Sequence, residues 1–235
     1  MATIDGFLPS SHGFRFRNSW PRGTPAVVID VGVGTMRLGD ANSGLCGGMA
    51  LAAADLHAAG RHPRRWTTPP AGGTEAFRYL SRRLLASWGV PGGPARFAYW
   101  ALTPDQDTIF GLRAGLRRLT IRDELPRVEA GIGRGRPVLL GLVTVRSATP
   151  AQLAECHIVL AYGCTRTAGR AEVAVYDPNS PGRDDLAIGV DTTDPGGARP
   201  LVHNVGLRRP IRGFFVLPYR VADPTPVAGP RRRPA

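Results

Sequence analysis

Residues 44–60, GLCGGMALAAADLHAAG, place a cysteine at the head of a run in which almost nothing is polar. The run predicts a helix from about Leu45 to Ala59, with Asn42 or Ser43 as candidate N-cap and Gly60 as its stop. Gly47, Gly48, Ala50, Ala52, Ala53 and Ala54 are small, and so few positions are polar that most of the helix surface must be covered. It is therefore expected at the centre of the fold. Cys46 falls in its first turn, where unpaired backbone N–H groups and a partial positive charge gather. Both lower a thiol pKa and both can hold an oxyanion. Gly44, Gly47 and Gly48 are expected to leave the backbone beside the thiol open to a substrate. Taken alone, such a cysteine is as readily a small buried hydrophobe.

Upstream, residues 1–24 scatter Phe7, Phe14, Phe16 and Trp20 among prolines and glycines, an extended arm anchored by its aromatics. Ala26–Val31 reads as a strand ending at Gly32 and Gly34, and 39–44 as the loop that feeds the helix. Downstream, Thr74 can cap a second helix through Trp88, with Phe77, Leu80, Leu84 and Leu85 as its apolar stripe. Helical stretches are also expected over 105–119 and 123–132. After Gly135 the period changes. Pro137–Val145, His157–Tyr162, Glu172–Tyr176, Leu186–Val190 and Ile211–Leu217 are five candidate strands separated by turn residues. Helices first and sheet second give an α+β fold, with a single domain over 1–219. It divides into an arm and first strand (1–35), a helical part (36–134) and a sheet part (135–219). The Pro- and Arg-rich tail, 220–235, is expected to be disordered.

His157 opens the strand HIVLAYG (157–163), and Asp177 ends the next one in VYDPNSPG (175–182). In an antiparallel pair joined by a short hairpin, those two positions lie side by side. Asp177, or the nearby Asn179, could then accept from one imidazole nitrogen while the other faces the thiol. Pro178 stops the strand and fixes the turn that presents the carboxylate.

The chain has 235 residues and a net charge of +12, and all 30 of its Lys+Arg positions are arginine. A chain of this length buries roughly 70% of its unfolded surface, so it needs neither disulfide nor metal to hold a core. The hydrophobic share of 43% excludes a largely disordered chain. The start shows no signal peptide and no run approaches a membrane span, and three cysteines suit reduced thiols in a cytoplasm. Arginine clusters at 61–65, 82–83, 117–118 and 231–233 come without a recognition motif, so nucleic acid is not the expected partner. Their abundance suits a GC-rich genome, with at most a steering effect on an acidic partner. A zinc site from Cys156, His157 and Cys164 lacks ligand spacing, because adjacent strand residues point to opposite faces. No metal or other cofactor is expected.

In order, GLCGGMALAAADLHAAG, RGRPVLLGLV (134–143), HIVLAYG, VYDPNSPG and RGFFV (212–216) resemble the papain-like cysteine peptidases of bacterial type. The similarity is to those with a Cys-His-Asp triad, including the bacteriocin-processing, double-glycine peptidases, and it spans roughly residues 36–219. The resemblance implies a papain-like α+β fold, a central helix bearing Cys46 packed on an antiparallel sheet bearing His157 and Asp177. It implies a hydrolase that attacks a peptide or amide carbonyl through an acyl-enzyme. The same triad also serves cysteine-dependent acyltransferases and cyclases acting on amides or thioesters. Two positions depart from the family. Where a glutamine usually completes the oxyanion hole stands Asp40, an acceptor only, so Asn42 or Asn18 would have to substitute. Gly47 follows the nucleophile in place of the bulky aromatic of papain. The first departure leaves a catalytically silent papain-like binding module as a further reading.

Overall fold

In a computed structural model describing residues 2–30, 35–89, 92–108 and 113–230, the strand-like runs of the C-terminal half pair into one antiparallel sheet. Its members are β4 (Val138–Val143), β5 (His157–Thr167), β6 (Arg170–Tyr176), β7 (Ala187–Asp191), β8 (Val202–His203) and β9 (Gly213–Leu217), in the order β8-β7-β6-β5-β4-β9. A two-residue strand, β1 (Ala2–Thr3), joins β5 beyond the end of β4, at Gly163 and Cys164. β5 is central and β4 is buried along its whole length, as near-continuous apolar sequence requires. A separate hairpin pairs β2 (Pro25–Asp30) with β3 (Thr35–Asp40); the expected strand end at Val31, Gly32 and Gly34 lies outside the described residues.

The helical layer is built on α2 (Cys46–Ala58), preceded by a short turn, α1 (Pro9–His12), in the arm. α2 is apolar all round because it is covered on two sides. Ala50, Leu51, Ala53 and Ala54 belong to the core shared with the sheet, whereas Leu45, Met49, Ala52 and Leu56 belong to a second core with the arm and α3 (Glu75–Ser87). Those two sets follow helical spacing on opposite faces. α3 starts as its sequence predicts, with the Thr74 hydroxyl accepting from the Phe77 N–H at 3.3 Å.

Between α3 and the sheet lies α4 (Gly93–Leu102), which the sequence reading did not anticipate. The helix expected over 105–119 is confined to α5 (Leu116–Leu119), with 109–112 outside the described residues. α5 runs through a π turn, Thr120–Glu124, into α6 (Leu125–Gly133). Pro126 has no N–H for the carbonyl one α-turn back, and the widened turn admits its ring. A last short turn, α7 (Pro150–Leu153), precedes β5.

The tail departs from expectation. Residues 220–230 are placed against the protein: Val227 and Ala228 are buried, Ala228 bridges Pro63, and Arg64 N–H donates to the Val227 carbonyl at 2.9 Å. The Ala222 N–H donates to buried Asp55 on α2, which also takes Tyr79, Tyr219 and Arg83. The final arginines, 231–233, lie outside the described residues. Arginine is also less superficial than its abundance suggests. Arg117 is fully buried and donates to the carbonyls of Asp191, Asp194 and Arg199, while Arg212 pairs with Asp105 and donates to those of Ala101, Thr103 and Val145.

Candidate active site

Cys46 is the first residue of α2, half-buried at the floor of a cleft between the helical layer and the sheet. The helix reaches that position because it has no side chains to hold its neighbours off. A Cβ on Gly47 would run into Ser87 Oγ and Ile158, and one on Gly48 into the Leu80 carbonyl oxygen. These two glycines therefore do not open the backbone to a substrate. They let α3 and β5 close on the first turn of α2 and so bring the thiol to the head of β5. Of the three glycines, it is Gly44, at φ 92°, that lines the cleft, as Gly39 also does.

The expected N-caps do not cap. Leu45 is the capping residue without a side-chain bond of its own, and Asn42 and Ser43 lie in a 3-10 turn. The arm supplies the cap instead: Asn18 Oδ1 accepts from the Leu45 N–H at 2.6 Å. Asn18 Nδ2 donates to Asn179 Oδ1 at 3.0 Å, so one buried amide links the start of the cysteine helix to the turn after β6.

His157 begins β5, and Asp177 directly follows β6. The register pairs Leu160 with Tyr176, so the ladder extended outward sets Asp177 diagonal to His157 on the same face. Asp177 Oδ1 lies 2.7 Å from His157 Nε2, and both side chains are buried. The carboxylate is saturated: Oδ1 also accepts from Asn179 N–H at 2.8 Å, and Oδ2 accepts from Gly206 N–H at 2.9 Å. It is Asp177, then, and not Asn179, that meets the imidazole. With Nε2 committed, Nδ1 is left for the thiol, and Cys46 and His157 lie near enough for each to shift the other's titration.

The electrostatics follow from that chain. Burial pushes the Cys46 thiol up, but the His157 charge and hydrogen bond, with N–H groups of Ile158 and Gly47, more than offset it and hold the thiol below its ordinary value. Burial pulls His157 down, and its partners Cys46 and Asp177 outweigh that and raise it. Asp177 is held low by His157 and the two N–H groups despite its burial. Each shift is toward the charged form: thiolate on Cys46, imidazolium on His157 and carboxylate on Asp177.

Of the residues considered for the second oxyanion donor, Asn42 is exposed, gives its amide to the Trp20 carbonyl at 3.2 Å and does not line the cleft. Asp40 is exposed and accepts from the N–H groups of Asn42 and Gly23, which caps the 3-10 turn. Asn18 does line the cleft, and with one amide hydrogen on Asn179 it retains a second. Asn179 lines the cleft as well. The other thiols differ. Cys164 is buried inside β5 and raised by burial, whereas Cys156, also raised by burial, lines the cleft, a placement its position before the strand did not disclose. Among the described residues no group of three or more His, Cys, Asp or Glu side chains could hold a metal ion, and no helix is long and apolar enough to cross a membrane. Neither a known family model, nor a curated protein, nor a solved structure matches this chain.

Proposed function

We propose that the chain is a papain-like cysteine hydrolase, a peptidase or amidase that works through Cys46, His157 and Asp177. The observation that carries this reading is the convergence at one open cleft of a helix-head thiol and a buried His157 whose Nε2 meets the buried Asp177 carboxylate at 2.7 Å. In the first step the Cys46 thiolate attacks the carbonyl carbon. The developing oxyanion turns toward the Cys46 N–H at the positive end of α2, with Asn18 as the neighbouring side-chain donor. His157 gives its proton to the leaving amine, the C–N bond breaks and a thioester remains on Cys46. His157 then takes a proton from water as its oxygen attacks the thioester carbon; the C–S bond breaks, the carboxylic acid leaves, and Cys46 thiolate is restored beside protonated His157. An amine in place of that water makes the same acyl-enzyme a transferase or cyclase.

The test is alkylation of Cys46 by iodoacetamide at pH 7, followed by intact mass after exposure to activated thioesters with and without added amine. Cys46 is expected to react faster than Cys156 and Cys164 and to carry an acyl adduct, with His157→Ala slowing both. A Cys46 that neither alkylates faster nor acylates would leave a binding module and overturn the reading.

A further inference from the structure

The cleft above Cys46 has a composition unlike the rest of the chain. It encloses about 510 Å³, within the range of small-molecule sites. Leu84 and Trp88 at the end of α3, Phe97 of α4, Leu153 of α7 and Leu207 are among the residues that line it. The chain carries 30 arginines, yet none is among the residues described as lining this cleft. Its two lining carboxylates have partners: Asp40 accepts two backbone N–H groups, and Glu155 pairs with Arg209 at 2.7 Å. The charged pair at its base, Cys46 and His157, is matched internally and with Asp177. A charged group entering here would therefore shed water without gaining a free counter-ion, a cost that an apolar group does not meet.

We propose that this cleft selects an acyl donor whose acyl group is uncharged, apolar and bulky, an alkyl chain or aryl group lodged against Trp88, Phe97, Leu153 and Leu207. The proposal rests on the reading of Cys46 as nucleophile and names the substrate class for it. An anionic acyl group is excluded although the whole protein attracts anions, because the selecting surface is the wall beside the thiol and not the distant field. A very small acyl group would leave the apolar walls in water and gain nothing from them. The reacting step is balanced within the site. The Cys46 sulfur bonds the acyl carbon, the bond to the leaving group breaks, and the leaving group takes the proton held by His157.

The experiment uses N-acetylcysteamine thioesters bearing octanoyl, 3-phenylpropanoyl, acetyl or succinyl groups, with acylation of Cys46 followed by intact mass and iodoacetamide alkylation run beside it. Octanoyl and 3-phenylpropanoyl are expected to acylate at least about tenfold faster than acetyl, with succinyl slowest, since each buried methylene contributes a factor of about three to four. An octanoyl lead identifies a fatty-acyl source, and a 3-phenylpropanoyl lead a peptide with an aromatic side chain. Ala154→Arg, an exposed position on the cleft wall, is expected to raise succinyl acylation relative to octanoyl. A flat or inverted order on a Cys46 that alkylates readily overturns this proposal and leaves the nucleophile standing. If Cys46 neither acylates nor alkylates faster than the other thiols, the hydrolase reading fails, and the cleft is read by protection of Cys46 against its slow alkylation at raised pH: octanamide should protect and succinamate should not. Equal protection overturns the proposal.

Discussion

Asp177 shows how little of a catalytic aspartate's value lies in charge alone. Three donors converge on its two oxygens, so its orientation is fixed before any substrate arrives. Replacement by asparagine keeps the shape but turns an NH₂ toward at least one of those donors, and a donor facing a donor leaves both unpaired. The lost carboxylate also weakens the imidazolium, and a weaker imidazolium stops holding the thiol down. Asp177→Asn is therefore expected to lower turnover on the order of 10³-fold and to move the alkylation profile of Cys46 to higher pH, both read by stopped-flow on the purified variant. Asn179→Ala should cost less than about tenfold, because its side chain bonds Asn18 and not His157. The reverse ranking would assign the orienting role to Asn179. The three principal residues were legible because each carries a local signal: a helix head, a strand mouth and a strand-ending turn. Asn18 could be named only as a possibility, since nothing near residue 18 in sequence says that its amide reaches Leu45 and Asn179.

At the scale of elements, the site depends on how closely α2 approaches α3 and β5. A run of small residues predicts that a helix is covered, but not by what or how tightly. Gly47 and Gly48 looked like substrate-facing backbone when read from their neighbours in sequence, and they face Ser87, Ile158 and Leu80. A methyl at Gly48 meets the backbone of α3, which cannot swing aside as a side-chain tip can. Gly48→Ala is expected to destabilise the protein by roughly 2–3 kcal/mol, seen as a lower denaturant midpoint at unchanged slope. Gly133→Ala, near the end of α6 with nothing within 4 Å of the added methyl, should stay within about 0.5 kcal/mol or stabilise slightly. Equal effects would mean that α2 and α3 are not held by close backbone approach. The strands β4 to β7 and β9 were readable from their strand-like runs, α3 from its apolar stripe, and α2 from its run of small apolar residues. α4 was not, because its glycine and proline entry resembles a loop. The hairpin partner β3, TMRLGD, has only Met36 and Leu38 as alternating apolar positions between flanking glycines, too short a run to stand out as a strand.

For the whole molecule, the arm and the tail both pack on the segment that leaves the far end of α2 from Cys46: Asp5 and Ser11 bond His57 and His62, and Val227 and Gly229 bond Arg64 and His62. Composition suggested a loose tail, since proline and arginine dominate it, but Val227 and Ala228 reach a core formed by distant residues. Ending the chain at Tyr219 removes that burial and the Ala222 N–H that helps satisfy Asp55. The truncated protein is expected to melt on the order of 10 °C lower, by calorimetry, and an unchanged Tm would show that the strap is incidental. The arm docks beside it. His12 is buried against Phe7 at 5.3 Å, with His57 of α2 at 5.2 Å and His62 at 4.8 Å between ring centroids, and the His62 carbonyl accepts from Gly229 N–H. Burial, and after it the neighbouring His57 and His62, lower His12 from its ordinary 6.5 to about 4. A histidine lowered by folding binds its proton more tightly in the unfolded chain. Its contribution is therefore complete above pH 6.5, fades as the pH falls, and is gone near pH 4. The shift corresponds to about 3 kcal/mol at most. Urea midpoints should accordingly fall between pH 7 and pH 5 in the native protein, and the fall should be smaller in His12→Phe, which keeps the stack on Phe7 and carries no titrating group. If the two proteins lost stability in parallel, the acid sensitivity would belong to other groups, and the arm would be held by its aromatics alone.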